Sequence, residues 1–167
     1  MPYRNKCYAC FDGDTDIHYY RLLTAWSANE RFEFSFNDAH DLTQARDSST
    51  EETIKRSLRT RLNNTREFLL LIGQKTKNLH RFVRWEIETA LNLDIPIIAV
   101  NLNGKRSFDP DLCPPILRNQ LAIHIPFGQK IIEQALTEWP ELHSQFARQN
   151  SREPKYYYDS VYKKMGI

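Results

Sequence analysis

Residues 68–72 read Phe-Leu-Leu-Leu-Ile, an apolar run with no polar interruption. Residues 95–100 read Ile-Pro-Ile-Ile-Ala-Val and are nearly as apolar. Strands with one face in water alternate apolar and polar residues, whereas continuous apolar runs are typical of parallel strands covered on both faces. The two runs therefore predict the central strands of a parallel sheet with helices on either side.

Three further segments complete the predicted sheet. Phe32–Phe36 and Leu121–Ile125 alternate apolar and polar residues, which favours edge strands, and Lys6–Phe11 precedes them all. The central strands are Glu67–Ile72 and Pro96–Asn101. Amphipathic segments between and after the strands predict helices over Asp16–Ala28, Thr50–Leu62, Leu79–Leu93 and Gln129–Glu138. With right-handed crossovers, this pattern predicts an α/β, flavodoxin-like, three-layer fold with a five-stranded parallel sheet of order 2-1-3-4-5.

The C-terminal residues differ from the rest of the chain. They are polar and then aromatic and basic, with Tyr156-Tyr157-Tyr158 followed by Lys163-Lys164. We assign residues 1–140 to the α/β domain and residues 141–167 to an extension that packs on it. A partner-binding appendage is the alternative.

Charge and hydropathy restrict the possible partners. The chain has 23 basic and 21 acidic residues, so its net charge of +2 lacks the basic excess of a nucleic-acid-binding protein. No run approaches the roughly 18 apolar residues of a membrane span, and the first residues lead into no signal-like apolar stretch. We expect a cytoplasmic protein that binds neither nucleic acid nor membrane.

Two of the three cysteines, Cys7 and Cys10, have CxxC spacing. A zinc site would need a second such pair or a pair of histidines at ligand spacing, and the sequence has neither. Residues three apart on a strand point to opposite faces. We therefore expect buried packing cysteines and no metal site.

Polar residues follow the predicted strands where a ligand crevice is expected. In an open α/β sheet this crevice lies beyond the carboxyl ends of the strands, where the strand order reverses. Phe11, Asp12 and Asp14 follow the first strand, and Asn37 and Asp38 follow the second. The aspartates would repel a flavin phosphate, Ile72-Gly73 replaces the aspartate of a phosphoacceptor domain, and no Walker or GxGxxG motif is present.

Glu86 interrupts the apolar side of the third predicted helix. At about 100° per residue, Val83, Ile87, Ala90 and Leu93 define that side, and Glu86 falls within it. A carboxylate among apolar residues loses solvation, which makes it a candidate functional group. A structural ion pair is the alternative.

Three segments closely resemble the TIR-like domains of the Thoeris anti-phage defence system, the ThsB type. They are LNNTREFLLLIGQKT at 62–76, FVRWEI at 82–87 and IIAVN at 97–101. The resemblance covers residues 6–140 and implies the TIR variant of the flavodoxin-like fold. It implies that Glu86 is the catalytic residue of NAD⁺ cleavage. Phe82 and Trp85 replace a tryptophan and a tyrosine of the family, so aromatic character is kept at both positions.

The resemblance also implies a substrate, a product and partners. NAD⁺ would be the substrate and no cofactor would be needed. The product would be an ADP-ribose-derived signal, cyclic or conjugated, that activates a separate effector, and the domain would self-associate through TIR surfaces. The expected substrate-binding residues are Phe11, Asp12, Asp14, Asn37, Asp38 and Phe82, although turn formation or capping explains the polar ones equally well.

Two other functions compete with NAD⁺ cleavage. One is a non-catalytic TIR adaptor that only assembles with other TIR domains. The other is a nucleoside deoxyribosyltransferase-like enzyme, which would also use a buried glutamate. The position of Glu86 in an apolar stripe argues against the adaptor.

Overall fold

The computed structural model describes residues 5–37 and 50–167. Its centre is a parallel six-stranded sheet of order β2-β1-β3-β4-β5-β6. The strands are β1 (Asn5–Cys10), β2 (Phe34–Asn37), β3 (Glu67–Ile72), β4 (Ile97–Asn101), β5 (Ala122–Pro126) and β6 (Pro154–Tyr156). The helices of the described residues are α1 (Ile17–Ser27), α2 (Glu51–Asn63), α3 (Val83–Asn92), α4 (Gln129–Arg148) and α5 (Asp159–Met165).

The predicted order 2-1-3-4-5 is confirmed, but the prediction of five strands is wrong. The sixth strand, β6, pairs with β5 in parallel, with Ala122 opposite Pro154 and His124 opposite Tyr156. Three residues are too few to show a period-two pattern, and the first of them is a proline. Proline is tolerated at the first residue of a strand and at a sheet edge, and here it occupies both positions.

Every residue of β3 and β4 is buried, as their continuous apolar runs predict. One face of the sheet packs against α2 and α3, and we call it the α2/α3 face; it carries Tyr8, Phe68 and Leu70. The other packs against α1 and α4, and we call it the α1/α4 face; it carries Leu69 and Leu71. In such a fold, the ligand crevice forms where the connections from two neighbouring strands leave the sheet toward opposite faces.

The cysteines pack as expected. Cys7 belongs to the α1/α4 face and Cys10 to the α2/α3 face. These two and Cys113 are buried and form no disulfide among the described residues, and burial raises the pKa of each thiol, to about 12 for Cys113. Because Cys7 and Cys10 lie on opposite faces of the sheet, the CxxC spacing does not bring the two thiols together, and each packs in a different part of the core.

Helix α3 is shorter than the predicted Leu79–Leu93. Thr76 begins a short 3₁₀ turn, and its hydroxyl accepts a hydrogen bond from Gly73 N at 2.9 Å and donates one to Leu71 O at 3.3 Å. These bonds fold the chain back onto the end of β3, so helix α3 begins only at Val83. Leu93, predicted on the apolar side, follows the last helical residue and is 41% exposed.

Helix α4 is longer than the predicted Gln129–Glu138. The predicted helix ends two residues before Pro140, and proline generally disfavours a helix interior. The helix nevertheless continues through Pro140 to Arg148, since Trp139 and His143 are buried against the sheet on either side of the proline. Residues 141–148 thus belong to the same helix as the residues before them.

One tyrosine of the C-terminal helix α5 packs into the core of the domain. Tyr162 in α5 is fully buried on the α1/α4 face, and the guanidinium of Arg106 lies 4.1 Å above its ring. Tyr158, four residues earlier, is 74% exposed. The two tyrosines therefore form a matched pair for testing how much this packing stabilises the fold.

We expect Tyr162→Ala to lower the free energy of unfolding by about 3 kcal/mol, because it removes a fully buried aromatic ring. Tyr158→Ala should change that free energy by less than about 0.5 kcal/mol, as is usual for an exposed side chain. Urea denaturation of both variants measures the difference. Equal losses would show that α5 is not anchored through Tyr162.

Candidate active site

The strand order reverses between β1 and β3, and the chain leaves these strands toward opposite faces. After β1, residues 11–16 lead to α1 on the α1/α4 face, and after β3, residues 73–82 lead to α3 on the α2/α3 face. Diverging connections of this kind open a crevice at the carboxyl ends of the two strands.

Glu86 packs against β1, one of the two strands that border this crevice. Its side chain is only 4% exposed, and its Oε2 accepts a hydrogen bond from Tyr8 Oη at 3.0 Å. Tyr8 is a fully buried residue of β1, and its ring stacks on Phe68 of β3 at a centroid distance of 5.5 Å. The carboxylate is thus bound to β1 and is buried from bulk water, in keeping with its position in the apolar stripe of the helix.

Two further features of the surroundings bear on this carboxylate. Glu86 occupies the first turn of α3, where the partial positive charge of the helix N-terminus favours a negative group. Cys10 lies next to it: burial raises the pKa of the Cys10 thiol, and the charge of Glu86 and a hydrogen bond to it raise that pKa further. The thiol is therefore a neutral donor beside the carboxylate.

Asp12 and Asp14 lie at the same edge of the sheet, in the loop after β1. Asp12 is 3% exposed, and its carboxylate accepts hydrogen bonds from Asp14 N at 3.0 Å and Thr15 Oγ1 at 2.6 Å. These bonds build the turn, so the structure supports the turn-forming role of Asp12 directly. The side chain of Asp14 is exposed.

The two predicted aromatic contacts lie on different faces. Phe82 is 7% exposed and packs on the α2/α3 face one helical turn before Glu86, with the Arg81 guanidinium 5.5 Å from its ring centre. Phe11 packs on the α1/α4 face, where its ring stacks on Tyr20 at 4.8 Å. Only Phe82 therefore shares a face with Glu86.

The remaining predicted contacts follow β2. Asn37 is the last residue of β2, where its backbone is opposite Tyr8 of β1. Its side chain lies outside what the structure describes, and so does the whole of Asp38. The backbone register nevertheless brings Asn37 to the strand that carries the hydrogen-bond donor to Glu86.

Sequence reasoning overlooked Tyr8 and Asp16 as site residues. A tyrosine within a buried strand was a usable signal, because a buried phenolic hydroxyl usually finds a hydrogen-bond partner. Asp16 ends the acidic loop after β1 and is 7% exposed. Gly73, which follows β3, lies against the Asp16 carboxylate, but this contact is visible only in the folded structure.

Two other features lie at the opposite, amino end of the strands. A cavity lined by Leu121 and His143 is at the amino end of the strands, and Glu67 is buried at the amino end of β3. Within residues 5–37 and 50–167, no group of three or more His, Cys, Asp or Glu side chains is arranged to hold a metal ion. Over the same residues, no helix has the length and apolar character needed to cross a membrane.

The doubly wound parallel sheet is consistent with a TIR-like domain. A family model described as "Thoeris protein ThsB, TIR-like domain" matches residues 8–107, from β1 to the loop after β4. The match includes Tyr8, Asp16, Gly73 and Glu86. The chain therefore belongs to the ThsB family of TIR-like domains from the Thoeris defence system, which confirms the resemblance found in the sequence.

Proposed function

We propose that this protein cleaves NAD⁺ at the bond between nicotinamide and ribose and forms an ADP-ribose-derived signal in anti-phage defence. The observation that carries the proposal is the carboxylate of Glu86, buried beside the crevice and hydrogen-bonded to Tyr8 on β1. Membership of the Thoeris ThsB family supports it. NAD⁺ is the substrate in this proposal, and no separate cofactor takes part.

The chemistry needs one well-placed negative charge. The C1′–N bond breaks with its electron pair going to nicotinamide, which leaves as a neutral molecule, so little acid catalysis is required. Positive charge develops on the ribose, and a fixed carboxylate stabilises that charge most effectively where water is excluded. Glu86 has both properties, since it is almost fully buried and held by a hydrogen bond.

The acceptor of the ribosyl cation determines the product. Water gives ADP-ribose and a proton, a hydroxyl of the same molecule gives a cyclic isomer, and a foreign amine gives a conjugate. We propose the cyclic or conjugated product, acting on a separate effector protein, together with self-association of the domain through TIR surfaces.

Incubation of purified protein with NAD⁺, with and without lysate of phage-infected cells, tests the proposal through chromatographic detection of nicotinamide. Parallel reactions contain deoxynucleosides. Nicotinamide release from NAD⁺ supports the proposal. Base release from deoxynucleosides alone would identify a deoxyribosyltransferase, and no release in any reaction would identify an adaptor.

Tyr8→Phe should lower kcat for nicotinamide release about 10-fold and change KM less, because it removes one hydrogen bond to a charged group. Steady-state kinetics measure kcat and KM separately.

Tyr162→Phe is the matched control for that experiment. Tyr162 is also fully buried, but its hydroxyl lies on the α1/α4 face and has no hydrogen-bond partner among the described residues. We expect Tyr162→Phe to leave both kcat and KM unchanged. Equal effects of the two variants would rule out a positioning role for Tyr8.

A further inference from the structure

Asp16 is a buried carboxylate with an unused hydrogen-bonding oxygen. Its side chain is 7% exposed, and Oδ2 has no hydrogen-bond partner in the described part of the chain. It precedes α1, but its side chain makes no capping bond to that helix. A buried acceptor left unpaired costs about 1–3 kcal/mol, so a native structure that retains one needs a reason.

The position of Asp16 relative to Gly73 places this oxygen in the crevice. A Cβ atom added to Gly73 would lie 2.2 Å from Oδ2 and 2.8 Å from Cγ of Asp16. Gly73 directly follows β3, whereas Asp16 ends the loop that follows β1. The carboxylate therefore reaches from the β1 side to the β3 side, across the point where the strand order reverses. Only glycine at position 73 leaves room for it.

The charges around Asp16 limit what it can bind. Asp12 is a second carboxylate of the same loop; burial raises the pKa of Asp16, and the charge of Asp12 raises it further, against the weaker opposite effects of His18 and Thr15. A phosphate would be repelled by this loop. A neutral hydroxyl would satisfy the free oxygen without adding negative charge.

We infer that Asp16 is a substrate-binding residue whose Oδ2 accepts a hydrogen bond from a ribose hydroxyl of the nucleotide, above Gly73. This inference rests on the proposed cleavage of NAD⁺ and adds a contact on the β1–α1 side of the crevice. In this proposal Glu86, on the α2/α3 face, stabilises the positive charge on the reacting ribose, whereas Asp16 contributes to nucleotide binding.

The test measures NAD⁺ binding by calorimetry in the Glu86→Gln background, where the nucleotide should stay intact, and KM and kcat in the background with Glu86. Asp16→Ala should raise the Kd and the KM about 10- to 100-fold, the value of one hydrogen bond to a charged group, with kcat changed less than about 3-fold. Asp111→Ala, at an exposed aspartate of the loop after β4, should leave all three constants unchanged.

Gly73→Ala is an independent variant that keeps the charge of Asp16 but displaces its carboxylate. Like Asp16→Ala, it should weaken NAD⁺ binding. Thermal denaturation checks that each variant remains folded. Unchanged binding in both variants, or a lower melting temperature without weaker binding, would overturn the inference. Binding without cleavage in the wild-type protein would overturn the enzymatic function alone, whereas no NAD⁺ binding would overturn both.

Discussion

Glu86→Gln is expected to reduce nicotinamide release from NAD⁺ by at least about 100-fold. The amide keeps the shape of the side chain and an oxygen that can accept the hydrogen bond of Tyr8, but it removes the negative charge beside the crevice. Loss of one preorganised electrostatic group in an active site costs about 100- to 1,000-fold in kcat. Because the contact with Tyr8 is preserved, we expect NAD⁺ binding and the melting temperature to change little. Initial rates of nicotinamide formation measure the effect.

Glu88→Gln is the control for that substitution. Glu88 is on the same helix, two residues from Glu86, but its side chain is exposed. The same chemical change at this position should leave the rate within about 2-fold of wild type, as for other exposed sites away from the chemistry. Equal losses at positions 86 and 88 would indicate a general effect of charge on α3.

Glu67 is expected to make the free energy of unfolding fall as the pH rises from about 5 to 8. The side chain is fully buried, and burial raises its pKa from 4.5 to about 8, against the smaller opposite effects of the Cys7 hydrogen bond and the Arg66 charge. Between these pKa values the folded protein keeps a proton that the unfolded chain has released. The stabilisation from Glu67 is therefore complete below about pH 4.5 and lost as the pH rises through 8.

Glu67→Gln should remove this contribution, since the amide does not titrate. Relative to wild type, the variant should gain about 1.4 kcal/mol of stability for each pH unit within the window, on the order of 4 kcal/mol from pH 5 to pH 8. Urea denaturation at several pH values measures the difference. For Glu141→Gln, at an exposed position, the plot of the free energy of unfolding against pH should be parallel to that of wild type. A parallel plot for Glu67→Gln would contradict the conclusion that Glu67 is buried and protonated.

The central part of the fold follows from patterns that a single strand or helix carries by itself. The continuous apolar runs in β3 and β4 predicted their burial, and the same reasoning gave the order of the first five strands. β6 was not predicted, because three residues show no periodicity and the strand is defined only by its pairing with β5. The start of α3 was missed because side-chain bonds of Thr76 to the end of β3, rather than helix propensity, determine it.

In the candidate site, likewise, one residue could be predicted from the sequence and its contacts could not. Glu86 could be found from one helix, because a carboxylate among apolar residues is visible in the 3.6-residue period. Its contact with Tyr8 joins residues 78 positions apart, and the contact of Asp16 with Gly73 joins two loops, so neither is visible in a local pattern. The side on which Phe11 packs depends on Tyr20 of α1, which is likewise a tertiary property.

The most direct test of the account is to count nicotinamide against NAD⁺ consumed, by mass spectrometry, for wild type and Glu86→Gln in the same infected-cell lysate. We predict one nicotinamide per NAD⁺ consumed by wild type, with a matching amount of ADP-ribose-derived product, and no release above background by the variant. Nicotinamide released at the wild-type rate by Glu86→Gln would contradict the central role of this buried carboxylate.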